Sequence, residues 1–230
     1  MILKRLSLFL CSAALAGCAT TPPISLTTQE QHDLGSVTGT LFIPQSSLLI
    51  TVTPTNAGAT GLLGALVAAG IDSARRSSAE KGAEPIIEQL RDYDFRTVMK
   101  QASNDALGTV ADIRFRAPFD VDTVASSTQK RIIYDKSSAG AVLFVDVGYQ
   151  MQSGNLYISA NAVMYPKSNE LLQFRKKPND SDPLDAGNAI YRKTFNFGKQ
   201  NVSATDIKSD LTEGANSIVT QLAADLNHPL

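Results

Sequence analysis

The sequence predicts a single α/β domain of the α+β kind, with helices on a mostly antiparallel sheet and a C-terminal amphipathic helix. Residues 141–151 and 156–164 alternate in side-chain polarity around a short turn at 153–155, as the two strands of an antiparallel hairpin do. Residues 83–107 and 207–226 instead place apolar side chains three or four positions apart, which is the spacing of one helix face. No internal repeat divides the chain, so one domain accounts for it.

Local signals set the remaining elements. A break near Asp94, which is suited to cap a helix, predicts two helices within 83–107. Ser203 and Asp206 have the spacing of a capping box before the last helix.

Short β-branched or alternating runs predict the other strands, which lie at 41–43, 47–52, 113–121 and 189–197. A further segment at 171–174 is a candidate extension of the hairpin.

The composition excludes several classes of function. The chain has 230 residues and a net charge of -1, which gives no electrostatic reason to bind nucleic acid. Its only cysteines, Cys11 and Cys18, and its only histidines, His32 and His228, are too few for a zinc-finger array. Both histidines lie near the ends of the mature chain, away from any Ser-His-Asp arrangement. The sequence therefore predicts no catalytic residue, cofactor or metal site, and a protein that is not an enzyme.

The first residues have the pattern of an export signal. Lys4 and Arg5 precede an apolar stretch at 6–16, about half the length that spans a bilayer. The prediction is a cleaved signal peptide at residues 1–17. The stretch ends in Leu15-Ala16-Gly17-Cys18, which resembles the lipobox of bacterial lipoproteins. The resemblance implies cleavage before Cys18, a thioether-linked lipid on its sulfur and an acyl group on its new amine. Two or more acyl chains anchor a protein stably.

The same resemblance implies a location. Ala19 stands where an aspartate tends to retain lipoproteins in the inner membrane, so we expect the outer membrane and its periplasmic face. Removing residues 1–17 from 230 leaves a mature chain of 213 residues, whose folded part has no thiol. Pro22 and Pro23 favour an extended conformation. Residues 18–36 are therefore predicted to be the lipidated N-terminus and a tether, and residues 37–230 the domain.

A small-residue segment runs from Gly61 to Ile71. Gly61, Gly64 and Ala68 fall near one face of the predicted helix, where close approach of another surface is favoured. Three interpretations stay open. The helix is buried in the domain core, or it contacts a partner or a second copy, or it inserts into a membrane that it is too short to span.

Carboxylates are the only candidates for chemistry. Asp92 and Asp94 lie beside arginines that would lower the pKa of both, so helix capping is the preferred interpretation over glycoside hydrolysis. Asp120 with Asp122, and the aspartates at 180, 182 and 185, lack the spacing of a calcium loop. Asp146 lies in the most apolar strand, either facing solvent beside Gln150 or pairing with a basic side chain of a neighbouring strand.

These observations favour a lipid-anchored, non-catalytic protein of the cell envelope. It would bind another envelope protein or itself as a binding or assembly accessory, with the membrane as a partner through the lipid. The order of elements is similar to that of periplasmic lipoproteins with a TolB amino-terminal-like fold, at the level of fold alone. Two alternatives remain. One is an envelope hydrolase that uses carboxylates, and the other an oligomeric export or assembly accessory that uses the helix at 61–71.

Overall fold

The computed structural model describes residues 22–52, 65–66, 76–175 and 182–230. The predicted signal peptide and Cys18 lie outside the described residues, as does most of the segment from Gly61 to Ile71. Asp180 and the basic residues Lys176 and Lys177 lie outside them too. Every structural statement below concerns the described part of the chain.

The described residues form one α+β domain, which confirms the predicted fold class. The helices are α1 Thr28–Asp33, α2 Arg76–Gln89, α3 Phe95–Leu107, α4 Ser127–Lys136, α5 Asn169–Leu172 and α6 Ile207–Leu226. The strands are β1 Ser36–Phe42, β2 Leu49–Val52, β3 Ala65–Leu66, β4 Arg114–Asp122, β5 Ala141–Gln152, β6 Asn155–Pro166 and β7 Tyr191–Lys199. A short 3₁₀ turn, Ala186–Asn188, precedes β7.

The sheet is mixed, and its two longest pairings are antiparallel. β6 pairs antiparallel with β5 along its whole length and with β7 on its other side. β1 and β2 both run parallel to β5, and β4 runs parallel to β1. The parallel pairings arise because helices separate β1, β4 and β5 along the chain, and a helical crossover returns the chain in the same direction. The alternating pattern at 141–164 predicted only the pairing of two strands that follow one another in the sequence.

The hairpin is the most accurate local prediction. β5 and β6 pair from Ala141 opposite Pro166 to Gln152 opposite Asn155, which leaves a two-residue turn. Ser153 and Gly154 both have positive φ, 49° and 81°, as a type I′ turn requires. The segment at 171–174 does not extend the hairpin, because it begins in helix α5.

Helices α2, α3 and α6 cover one face of the sheet. α6 lies against β6 and β7, and α3 packs beside α6 and contacts β4. The face beneath them consists of alternate residues of the three long strands. These are Leu143, Val145, Val147, Tyr149 and Met151 of β5, Leu156, Ile158, Ala160, Ala162 and Met164 of β6, and Tyr191 and Phe195 of β7. Each is at most 5% exposed.

The other face is covered only in part. Helix α4 packs its Tyr134 on Phe42, Val142 and Phe144, which form a second, smaller buried cluster near the start of β5. Among the described residues, no helix lies over the remainder of this face.

The predicted tether proves to be part of the domain from Ile24 onward. The backbone of Ile24 exchanges two hydrogen bonds of 2.8 Å with Arg192 at the edge of β7. Leu26 and Leu34 are buried, and α1 between them begins with a capping box of Thr27 and Glu30. A short helix with apolar flanks therefore follows the two prolines and packs on the domain.

Of the predicted helix from Gly61 to Ile71, Ala65 and Leu66 are described. They form strand β3, antiparallel to β2, so a helix is wrong at these two positions. The described helices include none that combines the length and the hydropathy needed to cross a bilayer.

Candidate functional site

A polar surface that no described helix covers lies on the sheet face opposite α3 and α6. Alternation along β5, β6 and β7 brings its residues onto the same side, because Gly148 pairs with Ser159 and Ser159 with Asn196. We call this surface the open face. Its residues are Gly148, Gln150 and Gln152 of β5, Tyr157, Ser159 and Asn161 of β6, and Thr194 and Asn196 of β7. All except Gly148 are exposed.

The open face has no formal charge. Its side chains are amides, hydroxyls and one phenol, which together offer hydrogen-bond donors and acceptors. A shallow cavity of about 800 Å³ lies along it. It is lined by open-face residues together with Gln45, Leu49, Tyr149, Ile158 and Phe197. The described residues that line this cavity include no aspartate or glutamate. The arrangement can hydrogen-bond to a polar surface or molecule.

Gln45 completes the sheet at the border of the open face. β1 pairs with β5 up to Asp146 and β2 pairs with it from Gln150, so on the edge of β5 away from β6 neither strand pairs with residues 147–149. The Gln45 amide fills this gap: its Nε2 donates to the carbonyl of Tyr149 at 2.9 Å, and its Oε1 accepts from the Tyr149 N–H at 2.9 Å. One side-chain amide therefore takes the place of a strand peptide.

Arg96 holds the connection that carries Gln45. From α3, its guanidinium donates to the carbonyls of Ile43 at 3.0 Å, Pro44 at 3.3 Å and Gln45 at 2.9 Å. Asp94 caps the same helix, accepting from the Arg96 N–H at 3.0 Å and the Thr97 hydroxyl at 2.6 Å. The hydrogen bond from Thr97 is the main reason that the pKa of Asp94 lies below its usual range. The capping interpretation of Asp94 is confirmed.

Asp146 borders the open face and pairs with Lys130 of α4. Lys130 Nζ lies 2.7 Å from Asp146 Oδ2 and 5.0 Å from the centre of the Phe42 ring. Asp146 is half-buried, and its basic partner lies on a helix rather than on a neighbouring strand. The alternation had placed Asp146 on the correct face, but it carried no signal of the lysine.

Two groups of charges fasten β7 to α6 on the covered face. Lys199 reaches the buried Asp210 at 2.7 Å and Glu213 at 2.6 Å, and the hydrogen bonds to these carboxylates raise the pKa of Lys199. Near the other end of α6, Asp225 accepts from the hydroxyl of Tyr191 at 2.9 Å and pairs with Lys193. These contacts fix the strand that contributes Thr194 and Asn196 to the open face.

The other predicted residues play local roles. Asp122 accepts from the Val124 N–H and from Gln129, and Asp185 caps the 3₁₀ turn. His32 and His228 are exposed. Within the described ranges, no three histidine, cysteine or acidic side chains lie close enough together to hold a metal ion.

The open face was not predicted as a site, although its signal was present. The alternation that identified β5, β6 and β7 also assigned the polar residues of each strand to one of its sides, for example Gln150, Ser159 and Asn196. What the sequence lacked was the register that joins the three strands, and the position of α4, which covers only part of that side.

Comparisons with known proteins give distant structural likenesses. No family model and no curated protein sequence matches this chain. A Xanthomonas campestris protein of the DUF330 family is 11% identical, with a TM-score of 0.39 over 88% of this chain and 90% of its own. The PelC dodecamer from Paraburkholderia phytofirmans is 11% identical, with a TM-score of 0.33 over 91% and 96%. An uncharacterised protein is 10% identical, with a TM-score of 0.34 over 90% and 94%. At TM-scores below 0.5, these likenesses carry no conclusion about function.

Proposed function

We propose that this protein is a lipid-anchored, non-catalytic binding protein of the outer membrane, and that the open face contacts an envelope protein. The observation that carries the proposal is the uncovered, uncharged half of the sheet, with its exposed amides and hydroxyls on three paired strands. The lipobox residues Leu15 to Cys18 support the anchor and the location on the periplasmic side.

The chemistry of the open face suits contact with another protein. Side-chain amides and hydroxyls can exchange their bound water for hydrogen bonds to a partner without the large desolvation cost of a buried charge. Tyr157, which is 42% exposed, adds an aromatic surface of the kind that is enriched in interfaces. A carboxylate hydrolase finds less support, because Asp94 caps a helix and Asp146 pairs with Lys130.

Site-directed photocrosslinking in cells tests the role of the open face. A photoreactive amino acid at Ser159 should give a crosslinked species, whereas the same residue at Gln221, an exposed position of α6 on the far side of the sheet, should not. A species at twice the monomer mass would identify a second copy as the partner. Equal crosslinking from both positions, or none from Ser159, would remove the open face as the binding surface.

The anchor needs a separate test. Cells that express the wild type and a Cys18→Ala variant are given labelled fatty acid and fractionated. We expect label and membrane retention in the wild type, and the loss of both in the variant. Label on the variant would contradict lipidation at Cys18.

A further inference from the structure

The N-terminal segment fixes where an anchor at Cys18 can lie relative to the domain. The first described contact of this segment is the bridge from Ile24 to Arg192, at the outer edge of β7. Ile24 follows Cys18 by only six positions, with five residues between them. Because an extended chain covers at most about 3.5 Å per residue, Cys18 lies within about 21 Å of Ile24.

This connection is short compared with the domain. A compact domain of about 210 residues has a radius of gyration near 17 Å and is therefore about 40 Å across. The tether expected from the sequence, about eighteen residues, would have reached about 60 Å and allowed the domain to turn freely. A reach of about 21 Å instead keeps the edge at β7 close to the point of attachment.

The segment is fastened at several points beyond the bridge. The side-chain amide of Gln31 in α1 donates to the carbonyl of Leu226 at 3.0 Å. The Leu230 N–H donates to the carbonyl of Leu26 at 2.8 Å. Leu26 and Leu34 are buried in the core. Pulling the segment away to lengthen the connection would expose these side chains and break the bonds, so Ile24 is the effective start of the domain.

The sheet register shows what lies on the opposite side. A row of paired residues crosses the sheet, each bonded to the next strand: Ile24, Arg192, Val163, Phe144, Thr40 and Asp120. Five steps of about 4.8 Å place Asp120, on the edge strand β4, about 24 Å from Ile24. The edge to which the N-terminal segment is attached and the opposite edge at β4 are therefore about 24 Å apart.

We infer that the protein stands edge-on at the membrane, with β7, α1 and the C-terminus facing the bilayer surface and β4 facing away. This inference rests on the proposed lipidation of Cys18. In this orientation the open face points along the membrane plane, and Thr194 and Asn196 are its residues nearest to the lipid. A partner would then be contacted from the side, close to the headgroups.

Single-cysteine labelling tests this orientation. The mature domain has no other free thiol, because Cys11 leaves with the signal peptide and Cys18 carries the lipid. The near probe is Leu230→Cys, next to Leu26, and the matched far probe is Val124→Cys, just beyond β4. Both positions are exposed apolar side chains, 83% and 55% respectively, so labelling at either should leave stability within about 0.5 kcal/mol.

The lipidated variants are purified from membranes, labelled with a fluorophore and inserted into vesicles of phosphatidylethanolamine and phosphatidylglycerol that carry a headgroup-linked quencher. We expect quenching at Leu230 to exceed that at Val124 by about threefold, because in the edge-on orientation the two sheet edges are separated by about 24 Å along the membrane normal. Equal quenching, as for a domain lying flat or turning freely, overturns the edge-on orientation. Stronger quenching at Val124 also overturns it.

A tether variant separates the short connection from other causes of the same orientation. Inserting about eighteen Gly-Ser residues between Thr21 and Pro22 gives the domain the reach of a flexible linker and should abolish the difference between the probes. A difference that survives the insertion would contradict the short connection as its cause. Failure of lipidation is recognised separately, because the protein would then carry no label from fatty acid and would not join the vesicles.

Discussion

The two faces of the strand layer β5–β6–β7 are built by one alternating pattern and differ in nearly every property. The face under α3 and α6 is apolar and almost fully buried, whereas the open face is polar, uncharged and exposed. Ile158 and Ser159 show the contrast at neighbouring positions of one strand, the first 1% exposed and the second in solvent. The covered face therefore contributes most of the stability, and the side chains of the open face remain available for contact.

The covered face should therefore respond most strongly to truncation. Ile158→Ala removes a side chain that is packed beneath α6, near Gly214, and should lower the free energy of unfolding by about 2–5 kcal/mol. Ser159→Ala is the matched control on the next residue and should change it by less than about 0.5 kcal/mol. Chemical denaturation of both variants measures the difference. Equal losses of unfolding free energy would show that both faces contribute equally to stability, and would contradict this difference between them.

This contrast also shows what the sequence could predict. Alternation at 141–164 identified both strands, their turn and the face of each residue, because the period of a strand is a local property. The periodicity around Asp94 likewise gave the break between α2 and α3. The parallel partners of β5 depend on where crossover helices return the chain, and no local pattern contains that information.

The same limit explains the corrections near the candidate site. Two prolines before residue 24 are typical of a tether, but Leu26 and Leu34 become buried only because the core offers space to them. Gln45 looked like one polar residue of a loop. Its role depends on the gap between β1 and β2, which exists only in the assembled sheet.

Gln45 stabilises the strand that carries residues of both faces. Its amide hydrogen-bonds to the backbone of β5 at Tyr149, next to Gly148 of the open face. Gln45→Ala leaves the N–H and carbonyl of Tyr149 without this partner and should cost about 1–3 kcal/mol. Gln45→Glu retains an acceptor for the Tyr149 N–H, but it places a second carboxylate oxygen against the Tyr149 carbonyl and should therefore also be destabilising at neutral pH. The unfolding free energies of the three proteins decide the point. An alanine variant as stable as the wild type would contradict the role in the sheet.

A smaller effect is expected at the helix that supports Gln45. Asp94→Ala removes the cap of α3 and should cost about 1 kcal/mol at neutral pH. Since the pKa of Asp94 is lowered in the folded protein, the contribution of its charge is complete above the usual carboxyl range and is lost as the pH falls below it. The stability difference from the wild type should therefore shrink on acidification below about pH 4.

Asp94→Asn is the control for the charge, because asparagine caps helices nearly as well as aspartate. Unfolding of the three proteins at neutral and acidic pH separates the two contributions. The asparagine variant should lose little at neutral pH and should lack the acid-dependent part. A difference between alanine variant and wild type that stays constant down to pH 3 would count against a charged cap.

The smallest effect on stability should come from the open face, where the largest effect on binding is expected. Asn196→Arg places a charge on the uncharged surface but keeps its side chain in solvent, so the unfolding free energy should change by less than about 0.5 kcal/mol. The crosslink from Ser159 should nevertheless be lost, because a partner matched to neutral amides would have to desolvate a guanidinium. Gln221→Arg on α6 adds the same charge outside the surface and should leave the crosslink intact. If Asn196→Arg retains the crosslink, the open face is exposed but is not the binding surface.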